Sequence, residues 1–256
     1  GFGQRGDAMS MEGRLSIDGN DAFTQWGVYA VQGGWNDLVA FPPLKAVTSN
    51  DWQEEDGIEA DLSAPRLNTR ECTVKFAYSK GADSVADLIS VLSKGAYHDF
   101  SIKSLGRECT LRMTQVTAMT ADGGDFGTVS IKFADDFPLD GYKYEQPDSG
   151  IPAAEDYLLD GVPLTDYGVR VLQGGLAELL KPPAVKLNLL RNLPHLAGAE
   201  YDGGRVTFKS KDIKLPCLMR AESMTEMWRN RDALLCDLTR PGERILGVAA
   251  LGQKFP

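Results

Sequence analysis

The sequence predicts a mainly β, α+β chain: two tandem, related β-sandwich or barrel modules, each with one flanking helix. Three observations predict it. Apolar and polar residues alternate in several short runs, the mark of half-buried strands. Each half of the chain carries one amphipathic helix pattern. The stretch WGVYAVQGG at 26–34 returns as YGVRVLQGG at 167–175, and its offset persists well beyond the nine residues.

Bulk composition admits such a chain. Its 256 residues leave room for two domains of ordinary size. A hydrophobic share of 43% with 25% charged residues excludes the low-hydrophobicity signature of disorder. The formal charge of −9 excludes a protein whose affinity comes from neutralising phosphates. An acidic wall instead repels nucleic acid and lets it slide past without sticking.

Residues 1–11, glycine-rich and polar, read as a flexible tail with no apolar run of the kind a secretory signal needs. The leading Gly1 implies processing or an expression scar, which leaves open a signal removed beforehand. No stretch approaches the roughly 18 apolar residues of a membrane-spanning helix.

The first module is expected over 12–138. Leu15 and Ile17 alternate in an opening strand, and WGVYAVQGG supplies the next strand and its turn. Cys72, Val74, Phe76 and Tyr78 form one face of a longer strand. In DSVADLISVLSKG, Val85, Leu88, Ile89 and Leu92 follow helical spacing, and Ser84 with Asp87 has the form of a capping box. TLRMTQVTAM, a glycine turn at 121–125 and the alternating Val129, Ile131 and Phe133 close the module as a long hairpin.

Residues 139–155 are rich in proline, glycine and acid and read as a linker. The second, shortened copy is expected over 156–256. Asp18-Gly19 matches Asp160-Gly161, Pro42-Pro43 matches Pro182-Pro183, and Lys45 matches Lys186. Gly57, Glu59 and Asp61 match Gly198, Glu200 and Asp202, all close to 141 residues apart. Val185, Leu187 and Leu189 alternate as a strand, and Ile213, Leu215, Cys217 and Met219 stand opposite the Cys72 to Tyr78 face. Ser223 and Glu226 repeat the capping box before Met227, Trp228 and Leu235. ERILGVAAL then runs almost directly into GQKFP, with no partner for the first copy's long hairpin. A period this long is a tandem duplication of one domain and excludes a solenoid. The glycines that recur, Gly33, Gly34 and Gly57 with Gly174, Gly175 and Gly198, are expected at turns.

The order of IDGNDAFTQWGV, a proline pair followed by Lys45, and WQEEDGIEADL leading through TRECTVKFAY into a capped helix resembles the distal tail proteins of long-tailed bacteriophages. More loosely it is similar to tail-tube and baseplate-hub modules of the same β-sandwich or barrel build. The likeness covers most of 12–138 and, more weakly, 155–256. It implies a structural protein without an active site or cofactor, which forms a ring with copies of itself and other tail proteins. It further implies that DNA passes through this ring without specific binding, in a virion tail assembled in the bacterial host cytoplasm. Usual distal tail proteins follow the ring domain with a different, often carbohydrate-binding-like domain, whereas a second ring-type copy looks more like a hub. The resemblance assigns Glu54, Glu55, Asp56 and Glu59 to an acidic lumen. The hairpin with Met119, Asp122, Gly123, Gly124, Val129 and Ile131 is its candidate assembly element.

Other chemistry finds little footing. GFGQRG has the spacing of a dinucleotide loop but no strand before Gly1, and RGD at 5–7 is a three-residue match. His98 and His195 stand in no zinc or hydrolase motif and read as loop or surface residues. Cys72, Cys109, Cys217 and Cys236 form no C-x-x-C pair, and Cys72 and Cys217 read as small core hydrophobes compatible with a reducing compartment. Carboxylates at Asp51, Glu54, Glu55, Asp56, Glu59 and Asp61 offer a glycosidase-like pair or a calcium loop, but their spacing is not the EF-hand pattern. Trp26 and Tyr167 at equivalent positions read as packing anchors. The alternative to the tail reading is a tandem β-sandwich protein that binds carbohydrate or another surface ligand, with exposed aromatics near Trp26, Trp35 or Trp52. A carboxylate hydrolase is the third.

Overall fold

The computed structural model describes residues 11–187, 190–201 and 203–256. The chain is mainly β, with four α-helices among the described residues, and the described strands pair antiparallel, as the alternating runs require. GFGQRG and RGD lie outside the described residues, as do Leu189 and Asp202. The described residues fall into two compact units, one within 11–44 and 67–142, the other within 45–66 and 143–256. Residues 45–66, placed by sequence in the first module, thus group with the second. So do residues 143–155, read as linker, where Tyr144 and Asp148 bond to Asp237 and Asn230.

In the first unit the strands β1 (Leu15–Ile17), β2 (Asn20–Asp21) and β3 (Val28–Ala30) flank a short helix α1 (Ala22–Trp26). After β4 (Ser49–Asn50) and β5 (Glu59–Ala60), which belong to the second unit, come β6 (Arg70–Tyr78), α2 (Ala82–Lys94), β7 (His98–Ile102), β8 (Arg107–Ala121) and β9 (Gly127–Asp135). They form one seven-stranded sheet in the order β2-β1-β7-β8-β9-β6-β3. β6 pairs with β9 along its whole length, and the face predicted from Cys72, Val74, Phe76 and Tyr78 is fully buried. Phe133 anchors the core, edge-on to both Phe76 and Phe100. α2 adds Val85, Leu88 and Leu92. It begins earlier than the Ser84 box implies: Gly81 is the cap, and Ser84 lies inside the helix with its hydroxyl donating to the Gly81 carbonyl.

β8 explains why TLRMTQVTAM lacks a clean period of two. Met113, Val116 and Met119 are three apart, yet they stand opposite Phe133, Ile131 and Val129, which are two apart. The register skips Thr114 and Thr117, and each hydroxyl donates to a β9 carbonyl, Lys132 and Ser130 respectively. Two bulges thus return the three apolar residues to one face and leave the extra residues hydrogen-bonded.

The second unit repeats this order with less sheet. Its elements are β10 (Tyr157–Leu159), β11 (Val162–Pro163), β12 (Val169–Val171), α3 (Gly175–Leu180), β13 (Leu190–Arg191), β14 (Glu200–Tyr201), β15 (Cys217–Met219), α4 (Met224–Leu238), β16 (Leu246–Val248) and β17 (Gln253–Phe255). β1-β2 and β10-β11 are both two-residue hairpins turned by Asp-Gly, with Asp18 and Asp160 at φ near +50° (49° and 50°). β3 pairs with β6 as β12 pairs with β15: Val28 opposes Tyr78, and Val169 opposes Met219, each 141 residues on. Trp26 and Tyr167 are both buried, as their paired occurrence implies.

The copies part where β9 stands. In the second unit β11-β10-β16-β17 and β12-β15 are separate sheets, and no described strand joins β17 to β15. The face of Ile213, Leu215, Cys217 and Met219 is consequently only half covered, and only the last three residues of that run are strand. Cys217, predicted as core, is exposed. Pro216 contributes as well. Its counterpart Lys75 both donates to Gly34 and accepts from Val31, whereas Pro216 keeps the carbonyl that accepts from Leu172 and has no N–H to give. Ser223 caps α4, its hydroxyl accepting from the Glu226 amide as predicted, while the Glu226 carboxylate accepts from the Glu222 amide. No described helix is long and apolar enough to cross a membrane.

Candidate assembly surface

Both copies project a two-stranded arm. In the first, a bridge between Leu44 and Leu67 is flanked by bonds from the Lys45 amide to Arg66 and from Asn68 to Pro43, and β4-β5 lie further out. In the second, Val185 bridges Phe208, Lys186 bonds to Thr207, Lys209 to Ala184, and β13-β14 lie further out. Every one of these positions is 141 residues from its equivalent. The loops at the two tips also match: Glu55 N bonds to Trp52 O as Leu196 N bonds to Leu193 O. Gly57 and Gly198 take left-handed φ of 72° and 87°, which a side chain would oppose. Val185 and Leu187, predicted as a half-buried strand, alternate on this arm but are exposed, because two strands alone cover neither face.

Within the second unit, the tip of the first arm docks on the base of the second. Lys186 is only 2% exposed, and its ammonium donates to the carbonyls of Trp52, Glu55 and Gly57, each at 2.7 Å. It also pairs with the Asp51 carboxylate at 2.6 Å. Thr207 donates to the Gln53 carbonyl, Phe208 N to the Asp56 carboxylate, and Gly57 N to the Phe208 carbonyl. A buried ammonium is costly unless its donors are taken up, and here every acceptor comes from one loop.

The acid cluster is therefore largely committed to structure. Asp51 meets Lys186, Asp56 caps Phe208 N, and Glu59 accepts from the Trp52 indole. Asp61 accepts from the Ser63 hydroxyl and amide, which hold its carboxyl below the usual range. Glu54 and Glu55 are exposed. Among the described residues no group of three or more His, Cys, Asp and Glu side chains is placed to hold a metal ion.

The long hairpin offers a second surface. β7 covers β8 only from Arg107 to Leu111, and no described strand pairs with the remaining outer edge. The tip turns through Asp122 N bonded to Phe126 O, with Gly123 and Gly124 at positive φ. Val129 and Ile131 are fully buried, whereas Met119 at the same face's margin is 45% exposed. Gly33 has left-handed φ in the turn after β3, and Gly34 meets the Lys75 backbone so closely that a Cβ would fall 2.6 Å from its carbonyl oxygen. In the second copy Gly174 takes the positive φ and Gly175 is pressed on Val171.

His98, read from sequence as a surface residue, is buried at the start of β7, with Nδ1 2.6 Å from the Asp18 carboxylate. Burial works to raise Asp18, but hydrogen bonds from His98 and the Asp99 amide hold it below its usual value. In the second copy Asp160 takes the same place, accepting from Ile245 N and pairing with Arg244. An acid that clasps either a histidine or an arginine is a structural fastening of the hairpin turn. Sequence reasoning missed it although both Asp-Gly pairs were visible. It foresaw the burial of Tyr167 but not the hydrogen bond that its hydroxyl donates to Asp237 at 2.6 Å. Burial and then the Asp237 carboxylate push the Tyr167 phenol well above its usual value.

No protein-family model matches the chain, and no curated protein matches it.

Proposed function

We propose that the chain is a structural component of a phage or prophage tail, a distal-tail or baseplate-hub ring protein that assembles with copies of itself around the DNA channel. One observation carries the reading: a duplicated module whose two copies have unequal, partly open sheets. Heterologous contacts build rings when the surfaces that meet are different, and unpaired strand edges supply such surfaces. The outer edge of β8 in one unit, and the edges of β15 and β17 in the other, are surfaces of that kind. The charge of −9 suits a channel wall that DNA passes without sticking, with Glu54 and Glu55 as its exposed acids. Other tail proteins are the further partners of this reading, and no cofactor enters it.

The ligand-binding alternative draws on Trp52, which is 50% exposed. Its indole N–H is already given to Glu59 and its carbonyl to Lys186, while Trp26 is buried. Negative-stain electron microscopy of the purified chain separates the two. Closed rings with a central channel are expected; single particles that bind an immobilised polysaccharide would replace the tail reading.

A further inference from the structure

The docking of arm on arm is used once within the chain, yet both of its halves occur twice. Base positions Lys186 and Thr207 are buried, whereas their equivalents Lys45 and Arg66 are exposed. Among the described residues the Lys45 ammonium has no hydrogen-bond or ion-pair partner. The second tip, 192–198, has the turn and the left-handed glycine of the first, so its carbonyls at Leu193, Leu196 and Gly198 stand as those of Trp52, Glu55 and Gly57 do. The arm that carries this tip leaves Leu187, Leu190, Leu193, Leu196, Tyr201 and Val206 exposed, an apolar surface beyond what a two-stranded arm covers by itself.

We infer that the contact repeats between chains: the 192–198 tip of one copy docks on the Lys45, Arg66 and Leu67 base of a second copy. The inference rests on the self-association proposed above and names its contact. Lys45 donates to the carbonyls of Leu193, Leu196 and Gly198, Arg66 reaches the Pro194 carbonyl, and Gly198 N bonds to Leu67 O. Each is the internal bond moved along by one module. The match is incomplete in an informative way. Asn192 and Ala197 replace Asp51 and Asp56, so the inter-chain version lacks two carboxylates and relies more on apolar burial. It is the weaker of the two, as suits a joint made after folding. Because the exposed base and the exposed tip are different surfaces, the contact is head-to-tail, and closure gives a ring with two modules per chain.

The test is Lys45→Glu in the full chain, with Lys103→Glu, an exposed lysine in another turn, as the charge-matched control. Lys45 is exposed, so the variant is expected to fold, which its circular dichroism and melting checks. Its association constant, from sedimentation, should fall at least about tenfold, while the control matches wild type. In wild type, hydrogen exchange at the Gly198 amide should slow as concentration rises. Wild type and Lys45→Glu associating equally, with exchange at Gly198 independent of concentration, would overturn this contact and leave ring assembly standing. A wild type that never associates would overturn both.

Discussion

Replacing Lys186 with methionine is expected to free the first arm without unfolding the rest of its unit. The ammonium makes three hydrogen bonds to the carbonyls of Trp52, Glu55 and Gly57 and one ion pair with Asp51. A hydrogen bond to a charged group is worth about 1.5–3 kcal/mol, and breaking one side of a buried charged cluster costs about 3–5 kcal/mol. The lower end applies here, because Asp51 is half exposed and regains water. The bonds from Thr207 to Gln53 and between Gly57 and Phe208 remain. Opening of the arm should therefore become easier by about 3 kcal/mol, which is on the order of a hundredfold faster exchange at the Gly57 amide. Hydrogen-exchange mass spectrometry on peptides covering 51–59 reads this directly, with β6 and β9 peptides as unchanged controls. An exchange rate within about threefold of wild type, less than ~1 kcal/mol, would refute the buried-lysine account.

Two further outcomes follow from the cores. Burial pushes the Cys72 thiol up to about 12, so in the native chain a thiol reagent at neutral pH should modify exposed Cys217 and spare Cys72 until the first unit unfolds; peptide mapping checks it. Hydrogen bonding and charge from Arg112, with bonds from Thr69 and Tyr97, hold Asp136 below the usual carboxylate value. Its folded pKa is thus lower than the unfolded value of about 3.9. The stabilisation is present above that value and is lost as pH falls through the folded one. The stability gap between wild type and Asp136→Asn, measured by urea unfolding, should shrink steadily below about pH 4.

Much of the fold was legible because one physical signal at a time set it. The Cys72 to Tyr78 face and Val129, Ile131 and Phe133 alternate strictly, since both strands lie along a buried sheet face. α2 and α4 carry helical spacing, and Asp-Gly recurs where a two-residue hairpin needs it. β8 was legible only as β-like, because bulges at Thr114 and Thr117 convert a spacing of three into one face, and local periodicity cannot foresee a bulge. The alternation at 185–187 and 213–219 overstated burial. Covering a strand takes a neighbour, and the second unit has no described counterpart of β9. Of the arm contact, only the match of Lys45 with Lys186 was legible in the sequence. That one lysine is buried and its equivalent is exposed is a tertiary fact, set by which tip loop lies within reach.

The mass of the chain in solution as a function of concentration tests the central claim most directly. Multi-angle light scattering should show the 27.9 kDa chain rising to a fixed multiple of that mass and no further, as a closed ring requires. A mass that stays at one chain at every concentration would contradict assembly, and growth without a plateau would contradict closure.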